Sequence, residues 1–278
     1  MESLPTPHNN FFQFAISHLP NARSLIETQF PQQVLAELNL DTLRLEQGSF
    51  IDPELREKFS DLLFSVELAE KDHVSPKSAL VYFLFEHKSQ SDPLTVFQLL
   101  SYIVRIQEKR LRDGLSLCPI IPLVVYHGES PWSAATSMAE LLHEPSSLAD
   151  FQVQFRFSML DLSVLADDEI RGDPILRSTL QLLKYSRSIV LVEKLREIIQ
   201  TFWLAKISET LGSDQLNNWL KAIGSYVMAV NKNIDDQQYL QTLQSVFPTQ
   251  FEPGSLADRL LIQGRQEGRQ DDRFRGQG

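Results

Sequence analysis

Apolar positions along the first two thirds of the chain change period several times, and each change predicts an element. In "NNFFQFAISHLPNARSLIETQF", Phe11, Phe14, Ala15, His18 and Leu19 recur at helical intervals until Pro20 interrupts. A second helix over about 21–30 follows, with Asn21 as its cap. "TLRLEQ" alternates as a strand or edge segment does, and Gly48 marks a turn. Two β-rich runs come next, "SDLLFSVEL" (60–68) and "ALVYFLFEHK" (79–88), joined by the polar, proline-containing "AEKDHVSPKS". Such a pair predicts an antiparallel hairpin. Ser91 or Asp92 can cap the next helix, Pro93 suits its first turn, and Gly114 ends it. Its apolar face is Val96, Phe97, Leu99, Leu100, Ile103 and Ile106. "LCPIIPLVVYHG" (117–128) predicts a third buried strand. "FQVQFRFSMLDL" (151–162) predicts a fourth, with Phe151, Val153, Phe155 and Phe157 alternating against polar neighbours. From about Asp167 the period is helical, over 173–187, 189–211, 213–230 and 235–246. The Gly-, Gln- and Arg-rich tail reads as disordered.

The hairpin carries the chemical question, because an apolar strand ends on Glu86, His87 and Lys88. A turn centred between His73 and Val74 sets Asp61 directly opposite Glu86, and opposed residues share a sheet face. Alternation then places Lys88 on that face and turns His87 to the other. Two opposed carboxylates repel unless a cation lies between them. A hard divalent ion such as Mg²⁺ or Mn²⁺ would be held by Asp61 and Glu86, with the His87 backbone carbonyl as a further ligand. It would activate a water and polarise a phosphate, with Lys88 orienting the water and offsetting charge on phosphorus. The plainer alternative is that Glu86 and Lys88 form an exposed ion pair worth about 0–1 kcal/mol while Asp61 caps a turn.

Composition narrows the setting. Cys118 is the only cysteine in 278 residues, which excludes an intrachain disulfide or a cysteine zinc cluster and fits a reducing cytoplasm. No apolar run approaches the roughly 18 residues of a spanning helix, so no membrane partner is expected. A net charge of −10 argues against a protein coated in positive potential, while leaving a local basic groove and carboxylate-bound metal open.

Four blocks, "TPHNNFFQFAISHLPNAR", "SFIDPELREKFSDLLFSV", "VYFLFEHKSQSDPLTVFQLLSYIVRI" and "PIIPLVVYHGESPW", together resemble the recombination-promoting nuclease family of bacterial transposase-like proteins, in the family's order and spacing over roughly residues 6–170. The resemblance implies an α/β core of the PD-(D/E)XK restriction-endonuclease type, a mixed central sheet flanked by helices, with a helical C-terminal extension. It divides the chain into a nuclease-like core (6–165), a helical region (166–250) and a tail (251–278). Carried over by position, Asp61 and Glu86 are the metal-binding carboxylates and Lys88 takes the lysine position. The family usually has His-Asp where this chain has His8-Asn9, glutamine at Lys88, and arginines at Gln98 and Ser101.

Supporting positions follow. Arg105, Lys109 and Arg112 share a helix face that could meet phosphate or simply solvent. Gln98 lies one to two turns into the same helix, either facing the site or exposed. Asp161 either supports the site or caps the following turn. His8 is a helix cap or a DNA contact, and His127-Gly128 reads as a strand-to-loop turn. The implied function is Mg²⁺-dependent cleavage of DNA phosphodiesters in recombination, by a cytoplasmic protein that could act as a homodimer. The alternative is a catalytically silent DNA-binding or protein-interaction descendant, favoured by Asn9 and the missing arginines.

Overall fold

A proline at the head of α1 (Pro7–Ile16) starts a helix that buries His8, Phe11, Phe12, Ala15 and Ile16. The computed structural model describes residues 7–46, 62–69, 80–143 and 145–247. The C-terminal tail expected to be disordered lies outside the described residues. In α2 (Leu19–Gln29) the N-cap is His18, without a side-chain capping bond, and Pro20 sits in the first turn where its missing N–H costs nothing. Asn21, expected as the cap, is instead buried inside the helix. Its Nδ2 donates to the Ala15 carbonyl at 2.9 Å and so fastens α2 to the end of α1. A short helix α3 (Gln32–Leu35) leads into the sheet.

Five strands, β1 (Leu38–Leu45), β2 (Leu62–Leu68), β3 (Leu80–Lys88), β4 (Ile120–Tyr126) and β5 (Ser158–Asp161), lie side by side in chain order. The first three pair antiparallel, and β3–β4 and β4–β5 pair parallel, so the sheet is mixed. β1 is an edge strand, with a register irregularity between Asn39 and Arg44. Helix α4 (Thr95–Arg112) makes the crossover from β3 to β4, as a parallel connection requires.

Helices cover both faces of the sheet. Phe83, Phe85 and His87 turn one way, where Phe30 lies 5.2 Å from Phe83 and Phe12 lies 5.2 Å from His87, ring centre to ring centre. On the other face Leu63 of β2 and Val124 of β4 pack with Val96, Leu99, Tyr102 and Ile106 of α4. The predicted apolar face of α4 holds at Val96, Leu99 and Ile106, with Leu100 partly buried beside them, whereas Phe97 is exposed and Tyr102 takes an inward place. Gly114, with φ +75°, ends the segment after α4 in a conformation that other residues rarely adopt.

The fourth predicted strand is much shorter than its alternation suggests. Phe151 ends a 3₁₀ turn (Ser146–Phe151) and is 83% exposed, Val153 is exposed, and only Ser158–Asp161 pairs with β4. The cause lies in β4. Tyr126 directs its carbonyl to the Leu162 amide, so by strand alternation Val124 and Pro122 also turn their backbone groups toward β5. The ladder begins at Leu123 paired with Ser158. One step earlier, Pro122 offers no N–H, and the pairing stops there.

The chain divides after Leu176 into two compact units. Helix α6 (Pro174–Lys184) spans the division, a short α5 (Met138–Leu142) precedes it in the first unit, and α7 (Val190–Ile207), α8 (Ser213–Val230) and α9 (Asp236–Val246) form the second. The second unit centres on Trp219, whose ring lies 4.9 Å from that of Phe202. There the Tyr239 hydroxyl donates to the Leu220 carbonyl at 2.6 Å, its ring against Gly224. Among the described residues no helix is long and apolar enough to cross a membrane.

Candidate functional site

The C-terminal end of β3 is held on both sides, and its register is the predicted one. Leu62 pairs with Phe85, Leu63 with Leu84 and Phe64 with Phe83, which is the register of a turn centred between His73 and Val74. Asp61 precedes Leu62 and lies outside the described residues, as does the Glu86 side chain. The backbone of Glu86 pairs with Val124, which packs against α4, so position 86 belongs to the α4 face. Lys88 is on the same face, its Nζ donating to Gln98 Oε1 of α4 at 3.2 Å. The structure therefore brings Gln98 to Lys88.

Backbone direction adds a further element. The Lys88 carbonyl accepts from the His127 amide at 3.0 Å, on the β4 side. Carbonyls alternate along a strand, so the His87 carbonyl is directed to the opposite side, toward β2. β2 is first paired at Leu62, opposite Phe85.

The His87 side chain lies on the α1 face of the sheet, as alternation predicts. Its Nε2 is 2.8 Å from Asn9 Oδ1. An amide oxygen only accepts, so Nε2 carries the proton. Nδ1 has no hydrogen-bond partner among the described residues. Burial, with positive charge at His8 and Lys88 as lesser causes, holds the His87 pKa down at about 4, and the ring is neutral at pH 7. It stacks on His127 at 5.7 Å, and His127 lies 4.9 Å from His8. This polar cluster across the sheet was not foreseen, since nothing local in the sequence joins position 9 to position 87. The only signal was the His8-Asn9 pair itself.

The remaining candidates divide. His8 lies inside α1, after its first residue Pro7, and is buried. Arg105 is exposed on α4, whereas Lys109 is engaged by Asp113 at 2.8 Å. Asp161 spends both oxygens on its surroundings: Oδ2 accepts from the Trp132 amide at 2.9 Å, and Oδ1 accepts from the amide and hydroxyl of Ser163 at 2.9 and 2.6 Å. Of its two readings, turn capping is the one observed. Among the described residues no group of three or more His, Cys, Asp or Glu side chains is arranged to hold a metal ion.

Comparison with known proteins agrees with the resemblance. The family described as "Putative transposase, YhgA-like" matches residues 6–211. Recombination-promoting nuclease RpnA of Escherichia coli K12 is 34% identical over 167 residues, covering 59% of this chain and 55% of that protein. Recombination-promoting nuclease RpnD of E. coli O157:H7 is 25% identical over 261 residues, 92% of this chain and 94% of that protein. A relative named inactive recombination-promoting nuclease-like protein RpnE, from E. coli K12, is 25% identical over 274 residues, 96% of this chain and 85% of that protein. The chain thus spans about half the length of RpnA and most of the other two. No solved structure matches. With the match running through the whole sheet and on into the second unit, the chain belongs to the YhgA-like transposase family, the family of the recombination-promoting nucleases.

Proposed function

We propose that the chain is a divalent-metal-dependent DNA endonuclease with a PD-(D/E)XK-type core, acting in recombination. The observation that carries this is the register of the hairpin: Leu62 is paired with Phe85, and in the sequence Asp61 adjoins the one and Glu86 the other. Lys88 shares the sheet face of position 86 and is fastened to α4. The donor set of two carboxylates and the His87 carbonyl, directed toward β2, consists of hard oxygen ligands and suits Mg²⁺ or Mn²⁺. Bound there, such an ion would lower the pKa of a water and neutralise charge on the phosphate.

Asp61 and Glu86 hold the carboxylate side of the site, and His87 contributes backbone alone. Lys88 donates to the attacking water or to a nonbridging phosphate oxygen and offsets the charge that develops on phosphorus. The water would give up a proton to solvent as its oxygen forms the new P–O bond, the P–O bond to one sugar would break, and the departing oxygen would take up a proton from solvent. Exposed Arg105 on α4 is available to the DNA backbone.

Nicking of supercoiled plasmid tests this. Protein with Mg²⁺ or Mn²⁺ should nick, EDTA should stop it, and Asp61→Ala and Lys88→Ala should each abolish it with folding intact. Nicking that survives both substitutions overturns the assignment. DNA binding without any nicking supports a second reading, a silent DNA-binding descendant, for which the resemblance to a relative named inactive speaks.

A further inference from the structure

Asp92 stands just before α4 and has two separate duties. Its Oδ1 accepts from the Leu94 amide at 2.9 Å, which caps the turn leading into the helix, and its Oδ2 accepts from Gln98 Nε2 at 2.9 Å. The same Gln98 amide accepts from Lys88 Nζ through Oε1 at 3.2 Å. A carboxylate can only accept and an ammonium can only donate, so the two neighbours demand the same orientation of the amide between them. Turning it over would set a carbonyl against the carboxylate and an NH₂ against the ammonium, two repulsive contacts in place of two hydrogen bonds. Gln98 is thereby locked with its oxygen toward Lys88. A lysine has four rotatable bonds and no geometric preference of its own at the ammonium, so its position depends on what it is bonded to.

We propose that Asp92 is a positioning residue for Lys88, acting through the oriented Gln98 amide. This rests on the nuclease reading for its kinetic consequence, while the arrangement itself belongs to the metal-free protein. Asp92→Asn keeps an oxygen for the Leu94 amide, and asparagine makes this side-chain-to-backbone turn as aspartate does, so the turn before the helix is preserved. It removes the acceptor-only partner that fixes Gln98. Gln98→Ala removes the connection itself.

Two measurements test the proposal together. The first is kinetic: Asp92→Asn and Gln98→Ala should each lower kcat by about tenfold, the scale of losing a group that orients a reacting one, with KM for DNA unchanged. The double variant should be no slower than either single one, because both cut the same connection. The second is the ammonium ¹H–¹⁵N resonance of Lys88 in metal-free protein, which should broaden or vanish in Asp92→Asn through faster proton exchange. Multiplying kinetic losses in the double variant, or an unchanged Lys88 resonance, would overturn the proposal. If the wild-type protein proves not to cleave DNA, the nuclease reading fails, and the resonance alone still decides whether Asp92 positions Lys88.

Discussion

Protonating His87 should cost the fold measurably, and Asn9→Asp should reverse the sign of the effect. The folded-state pKa of about 4 lies below the ordinary 6.5, so between these values the unfolded chain binds a proton that the folded protein refuses. The stability at stake is fully present above pH 6.5, declines as the pH falls toward 4, and levels off below it. The difference between the two values corresponds to about 3 kcal/mol, a large share of the 5–15 kcal/mol typical of a domain. Burial is the main cause, His8 and Lys88 add positive charge that works in the same direction, and the Asn9 amide brings no negative charge to offset them. Asn9→Asp places a carboxylate at the 2.8 Å contact, favours the imidazolium, and raises the His87 pKa. Long-range ¹H–¹⁵N spectra of the imidazole across pH 4–8 would follow the titration directly. Amide exchange in β3 over the same range would give the opening free energy of the strand. A His87 that titrates near 6.5 in the folded wild-type protein, or a titration that Asn9→Asp leaves in place, would refute the reasoning.

Asp161→Ala leaves the Trp132 and Ser163 amides without their acceptor and should destabilise the first unit by about 1–3 kcal/mol, read from urea unfolding, without the complete loss of nicking expected for Lys88→Ala. Gly224→Ala would set a methyl carbon 2.6 Å from Cε1 of Tyr239, whose ring is buried and whose hydroxyl is tied to Leu220. Unable to give way, this site should lose about 1–3 kcal/mol, seen as a lower Tm for the second unit by calorimetry.

Much of the sheet was legible because its signals are local. The register of β2 against β3 follows from the symmetry of two apolar runs about one polar linker, and the helix after β3 announces itself through Asp92, Pro93 and the spacing of Val96, Leu99 and Ile106. What was misread depended on a partner elsewhere in the chain. The alternation from Phe151 to Phe157 has the right period for a strand, but Pro122 of the neighbouring strand has no N–H to extend the ladder. Asn21 has the right chemistry for a cap and the wrong place, because the Ala15 carbonyl claims its amide. In the candidate site, Lys88 and Gln98 could be named separately, whereas the contact of Gln98 with Asp92 depends on the turn before α4, and the pairing of Asn9 with His87 across 78 residues is a product of the tertiary fold.

The alternation of β3 separates two kinds of inheritance within three consecutive residues. Phe83, Phe85 and His87 serve the layer beneath α1 and α2, while positions 86 and 88 serve the face proposed to do chemistry. A lineage can therefore lose its chemistry at the even positions without giving up the contacts that hold the N-terminal helices to the sheet. A family built on such a strand can retain folded members after cleavage is gone, which supplies a physical ground on which proteins named as nucleases and proteins named as inactive can share one architecture.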